Sequence, residues 1–349
     1  MAAAPSFFSS ESLRRRRVEF PSKEEGVNLV GELAWPPIPR STSTTPVAVL
    51  AHGLADDRDS FVLPRLVEEL ALRAGCASLR FDFRGNGESG GEFKFGNAAT
   101  PDGDPADLEA AVEFLVGFRG GDDGEGEREW KTPRRFEVVA LLGHSKAGSA
   151  VVSYAARRRR GGGGGSEEGN DDDDSDDPLF VPRIINVAGR FDHGDRAAIT
   201  SRFGDDIFER VKEAEERRGE GEGGGGGCGG GGVPFRWRVG RSKRALEWRL
   251  TAADLEDRLK TDMGALCAQL PPQTQLLCVH GTEDATVPPS AAERYREAAA
   301  MTGGSATTTK VVLVEGADHN FTQRDKADQL IDTVVEFISE GISKKERER

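Results

Sequence analysis

Apolar residues along this chain fall into two alternating rhythms. Residues 18–20 and 27–33 alternate apolar and polar positions around a polar turn, which predicts an antiparallel hairpin. Residues 47–51 are wholly apolar, as in a central strand buried on both faces. Residues 61–74 carry apolar positions at helical spacing, and 76–83 return to strand. Residues 105–118 are helical, with Leu108, Val112, Leu115 and Val116 on one face. Further strands are predicted over 136–142, 184–188, 276–280 and 311–314, and helices over 147–156 and 327–338. Strands alternating with helices in this way predict an α/β fold whose mainly parallel central sheet is covered by helices on both faces.

Three segments break the rhythm. Residues 119–135 are charged and glycine-rich, 157–177 join arginine, glycine and aspartate runs, and 217–232 are mostly glycine. None can bury enough apolar surface to offset its ordering entropy, so they are expected to be low-complexity insertions between elements. A longer excursion separates the strand ending near Ala188 from the one starting near Leu276. It carries Phe203, Ile207, Phe208, Phe235, Trp237, Trp248 and Leu255 among many charges. It reads as a small helical cap over the sheet, with an ordinary pair of surface helices as the alternative.

Composition narrows the class. The chain has 349 residues, enough for one α/β domain with a cap, and a net charge of −13 that argues against nucleic acid and anionic membranes as partners. Much of that charge lies in the single run 167–177, which reads as a solvated loop. The four cysteines, Cys76, Cys228, Cys267 and Cys278, have no C-x-x-C spacing and suit a reducing compartment. No stretch has the length of a membrane-spanning helix, and residues 1–17 lack a signal-peptide core. The expected location is the cytoplasm, with a plastid as the alternative because that leader is rich in Ala, Ser and Arg.

The chemistry concentrates at Gly143-His144-Ser145-Lys146-Ala147-Gly148. An apolar strand stops at a glycine, a serine follows two residues on, and small residues open a helix. This is the build of a nucleophile elbow. A strict G-x-S-x-G search finds Gly87-Glu88-Ser89-Gly90-Gly91 instead, in a polar loop without those flanks, so Ser145 is the candidate nucleophile. The bland reading has Ser145 merely capping a helix. A serine needs a base, and the base an orienting acid. Of the five histidines, His52 and His280 end strands, His144 lies inside the elbow, and His193 opens the excursion. His319 sits in a polar loop after the last strand, at the sheet edge where open α/β folds place their sites, and is the candidate base. Asp284 is the candidate acid and Glu283 its alternative, both in the loop after residues 276–280. The backbone N–H groups of Lys146 and Leu54 are expected to hold an oxyanion, with the Lys146 ammonium on the surface. No cofactor or metal is required.

Five ordered motifs carry a resemblance: Ala51-His52-Gly53, Phe81-Asp82-Phe83-Arg84-Gly85-Asn86-Gly87-Glu88-Ser89, Gly143-His144-Ser145-Lys146, His280-Gly281-Thr282-Glu283-Asp284-Ala285-Thr286-Val287-Pro288, and Glu315-Gly316-Ala317-Asp318-His319. On these the chain resembles the α/β-hydrolase superfamily, and within it a plant branch similar to serine aminopeptidase S33 and acylglycerol-lipase-like hydrolases. Ala147 departs from the glycine usual there. The resemblance implies a cap over residues 189–263, where Arg190 and Asp192 follow a usual Gly-Arg-aromatic-Asp pattern. The α/β-hydrolase core would then occupy 18–188 and 264–341, behind a leader at 1–17 and ahead of a charged tail at 342–349. The expected activity is hydrolysis of a small carboxylic ester or acyl substrate by Ser145, His319 and Asp284. A receptor or scaffold on the same fold, a serine peptidase, a thioesterase and an acyltransferase are the alternatives.

Overall fold

The computed structural model describes residues 13–37, 44–120, 133–158, 177–219, 231–240, 244–301 and 308–348. Most of the three insertions, residues 1–12 of the leader, and Cys228 lie outside the described residues.

The chain opens with β1 (Arg14–Pro21) and β2 (Asn28–Trp35), antiparallel to each other. β1 begins four residues before the apolar pattern does. Arg15 pairs with Glu32 and Glu68, and Arg17 with Glu19 and Glu88, so a ladder strand forms there without apolar side chains. Next come β3 (Thr45–Ala51), α1 (Leu63–Ala74), β4 (Ala77–Asp82), α2 (Asp104–Gly117), β5 (Phe136–His144), α3 (Lys146–Ala156) and β6 (Arg183–Val187). β9 (Gln275–Gly281), α8 (Ser290–Ala300), β10 (Thr308–Val314) and α9 (Arg324–Glu348) complete the core. The sheet order is β1-β2-β4-β3-β5-β6-β9-β10, and every pairing from β4 to β10 is parallel.

Strand alternation sorts the core into two layers. Val47, Val49 and Ala51 of β3 face a cluster built with α2, α3 and α8. Ala48 and Leu50 face the other side, where α1 and α9 pack. α1 buries Leu63, Leu66, Val67, Leu70 and Ala71, a helical stripe, and ends at Gly75 in the left-handed conformation with φ 58°.

Between β6 and β9 lie α4 (Arg196–Phe203), α5 (Ile207–Gly219), β7 (Val233–Val239), β8 (Arg244–Leu250), α6 (Ala252–Lys260) and α7 (Met263–Cys267). This excursion is not wholly helical: β7 and β8 form an antiparallel hairpin. Val233, Phe235, Trp237 and Val239 alternate with Pro234, Arg236 and Arg238, a period-two pattern within a segment otherwise read as helix. Its aromatic side joins Phe93, Phe95, Phe203 and Trp248 in a third apolar cluster, against which Leu54 and Ala55 pack.

Candidate active site

Four loops at the carboxyl ends of β3, β5, β9 and β10 meet at one edge of the sheet. At the end of β5, Ser145 stands at the N-cap of α3 with φ 55° and ψ −114°, a backbone that a side chain other than glycine rarely adopts. The bend demands small neighbours. A Cβ on Gly143 would fall 2.1 Å from the Ala147 carbonyl oxygen, and one on Gly148 would fall 2.3 Å from Asn186 Oδ1. Ala147 itself is fully buried in the core and fits, so the closest approaches fall at the two glycines rather than at the position that departs from the usual pattern.

The β9 and β10 loops are stitched together. Thr282 N donates to Val314 O at 3.1 Å, and Glu283 N to Ala317 O at 3.0 Å. This brings Asp284 under His319. The His319 Nδ1–H donates to Asp284 Oδ2 at 2.7 Å, and Ser145 Oγ lies 2.9 Å from His319 Nε2. Asp284 is buried and also accepts from the amides of Thr286 and Val287, each at 2.8 Å. His280 Nε2 shares the same carboxylate oxygen at 3.0 Å and donates to Val287 O at 3.0 Å. Burial alone would raise the Asp284 carboxyl, but hydrogen bonds from His280, His319 and Val287 outweigh it and hold the group below the usual carboxylate range. Glu283, the alternative acid, is exposed.

Ser89, the strict pattern match, is used structurally. Its hydroxyl donates to Asp82 O at 2.6 Å and accepts from Val30 N at 2.8 Å. His52 is also spoken for: Nδ1–H donates to Gly53 O at 2.8 Å and Nε2 accepts from Phe83 N at 3.1 Å. It thereby fixes the turn that carries Leu54. That turn lies against the elbow, since a Cβ on Gly53 would come within 3.3 Å of Ser145 Cβ. The Lys146 amide is the first of α3 and has no intrahelical acceptor.

Two features were not foreseen. His144 Nε2–H donates to the His319 carbonyl at 3.0 Å while its ring stacks on Phe61 at 3.8 Å. Burial, then the neighbouring His319, pushes His144 down to about 3, so it acts as a neutral strut beneath His319. The Lys146 ammonium, expected on the surface, is instead half-buried and turned onto the neighbouring segment. It pairs with Asp104 at 2.9 Å, donates to Lys94 O at 3.0 Å and bonds Asn97 Oδ1. Nothing in the local sequence marks these partners, which lie 42 to 52 residues away. His193 faces Ser149 Oγ at 2.9 Å, one helical turn beyond Ser145, in a buried network with Tyr295.

Comparison with known proteins agrees with this architecture. The profile of the Alpha/beta hydrolase family matches residues 48–333. Est1E from Butyrivibrio proteoclasticus, in a structure with bound ferulic acid, is 16% identical with a TM-score of 0.56, over 93% of this chain and 99% of that one. The esterase domain of a Rhodothermus marinus protein is 17% identical with a TM-score of 0.52, over 94% and 98%. A hypothetical protein from Pseudomonas aeruginosa is 17% identical with a TM-score of 0.62, over 96% of each chain. At these identities the likeness is one of fold. No curated protein matches the sequence.

Proposed function

The chain belongs to the alpha/beta hydrolase family, and from that premise we propose that it is a serine hydrolase cleaving carboxylic esters through Ser145, His319 and Asp284. The observation that carries this reading is the unbroken hydrogen-bond line from a buried, hydrogen-bonded carboxylate through an imidazole to the hydroxyl of a serine on a strained backbone turn. Ser145 Oγ attacks the acyl carbonyl and gives its proton to His319 Nε2. Asp284 fixes the tautomer and stabilises the imidazolium. The oxyanion is held by the amides of Lys146 and Leu54. His319 then protonates the leaving alcohol. Water, deprotonated by His319, releases the acid from the acyl-enzyme. The esterase-type structural neighbours and the resemblance to S33 and acylglycerol-lipase-like proteins favour an ester, and the aromatic cluster beside Leu54 favours an apolar or aromatic acyl group. Unpaired, buried Cys76, Cys267 and Cys278 favour a reducing compartment, the cytoplasm or a plastid. Among the described residues no helix is long and apolar enough to cross a membrane.

A fluorophosphonate probe and a panel of esters of varied acyl length test the reading. Wild-type protein labels and turns over. Ser145→Ala loses labelling and lowers kcat by roughly a million-fold. A folded wild-type protein that neither labels nor turns over any ester replaces this reading with that of a receptor on the same fold.

A further inference from the structure

Arg190, Arg202 and Arg258 form a group of guanidiniums that lack carboxylate partners. Among the described residues none of the three has a carboxylate within 4.0 Å, whereas Arg158, Arg210 and Arg294 all do. Arg258, on α6, sits over the Phe95 ring with its Cζ 4.7 Å from the ring centre, and its Nε is fully buried with no hydrogen-bond acceptor. Arg190, just after β6, uses one nitrogen on Thr286 O in the loop that carries Asp284. Arg202, exposed at the C-terminal end of α4, has Arg190 as its charged neighbour.

The nearby acids are otherwise engaged. Asp284 holds two histidines, and Asp192 faces Arg294 at 3.5 Å. Asp195 caps α4 by accepting from Ala198 N at 3.2 Å. Burial, followed by the like charges of Arg190 and Arg202, pushes Arg258 down to about 9, and Asp195 only partly counters them. A half-buried guanidinium whose enclosed Nε has no acceptor, beside two other cations, is costly, and an anion would relieve it.

Arg258 connects to the candidate active site through Phe95, whose neighbour Lys94 accepts from the Lys146 ammonium beside Ser145. Buried His193 sits among Arg258, Arg190 and Lys146 and reaches Ser149, one turn along α3 from Ser145. Phe95, beneath Arg258, belongs to the cluster against which Leu54 packs. We infer that Arg258, with Arg190 and Arg202, binds an anionic group, a carboxylate or a phosphate, on the substrate whose ester is presented to Ser145. A planar guanidinium fork suits either oxyanion. This inference rests on the serine-hydrolase reading for its ester, but not for its anion.

Paired 4-nitrophenyl esters test it, one of a monocarboxylic acid and one of a dicarboxylic acid with the same chain length. The wild type is expected to favour the charged ester at least tenfold in kcat/KM. Arg258→Met should lower that ratio at least tenfold, and Arg202→Gln several-fold. Arg236→Met, on the exposed side of β7, should leave it unchanged. A wild-type ratio of one or less, or a ratio that neither Arg258→Met nor Arg202→Gln lowers, overturns the inference. A second readout needs no turnover. In Ser145→Ala, glutarate or inorganic phosphate should raise Tm at millimolar concentration, and the larger shift identifies the preferred anion. Adding Arg258→Met or Arg202→Gln should reduce the shift, and no shift from either anion counts against the site. If the serine-hydrolase reading alone fails, neither ester is cleaved while the anion shift persists.

Discussion

His319 is held from three sides: by Asp284 on Nδ1, by Ser145 on Nε2, and by the His144 ring on its backbone carbonyl. The Asp284 carboxylate takes four hydrogen bonds from the chain, so Asp284→Asn would strand both His280 and His319 and should lower kcat about 10⁴-fold with less loss in KM. His144 makes a stability prediction. Its ring stays neutral in the fold until about pH 3, against a reference value of 6.5. Between those values the unfolded chain binds more protons than the folded one, so stability falls as pH falls. The loss ascribable to this ring is at most about 2 kcal/mol at pH 5. Asp107, pushed up to about 6 by burial, acts in the opposite sense, so the informative quantity is a difference between variants. The drop in Tm between pH 7 and pH 5 should shrink by a few degrees in His144→Gln. Equal drops in the two proteins would remove His144 as a source of acid sensitivity.

At the scale of elements, Lys146 joins α3 to the segment between β4 and α2. Its ammonium holds Asp104 at the start of α2 and Asn97 in that segment. The same segment offers the amides of Phe95 and Gly96 to Asp254 Oδ1, at 2.9 and 3.2 Å. Asp254 in turn closes the capping box of α6 with Thr251. The residue after the candidate nucleophile is thus connected through two short links to the excursion. Removing the ammonium would leave Asp104 buried without its cation. Lys146→Met is therefore expected to cost about 3 kcal/mol by denaturant unfolding. Asp104→Leu combined with it should cost less than the sum of the two single changes. Simple additivity would show that the pair does not act as a unit.

For the molecule as a whole, the parallel strands separate two ends. The candidate site occupies the carboxyl end, whereas α3 runs back to the opposite end before β6 begins, so the chain between them leaves and rejoins the core far from Ser145. Both margins of that insertion are anchored. Arg157 bonds Ala99 O and Ser153, Arg158 pairs with Glu109 and covers Tyr154, and Asp177 accepts from Leu179 N at 2.8 Å. A deletion should therefore spare these residues. Replacing 159–176 by a short glycine linker is expected to leave ester kcat/KM within about twofold of wild type, since closure entropy changes only slowly with the length of a connection. A large loss in a folded deletion protein would assign that segment a role in the reaction.

Local pattern alone was enough for the sheet, its covering helices and the order of the strands in the chain. Buried strands and amphipathic helices impose periods of 2 and 3.6 on nearby residues, and those periods survive without any knowledge of tertiary contacts. The elbow was legible for the same reason: its glycines, serine and flanks are contiguous. Long-range placement was not legible. Only the fold brings Asp104 to Lys146, His280 and His319 to one oxygen of Asp284, and three arginines together without their carboxylates. The hairpin of the excursion lay between the two kinds of information, since its alternation is local but its aromatic face acquires meaning only against Phe93 and Phe95. Charge pairing and burial depend on distance in space, and a linear chain records that distance only after it has folded.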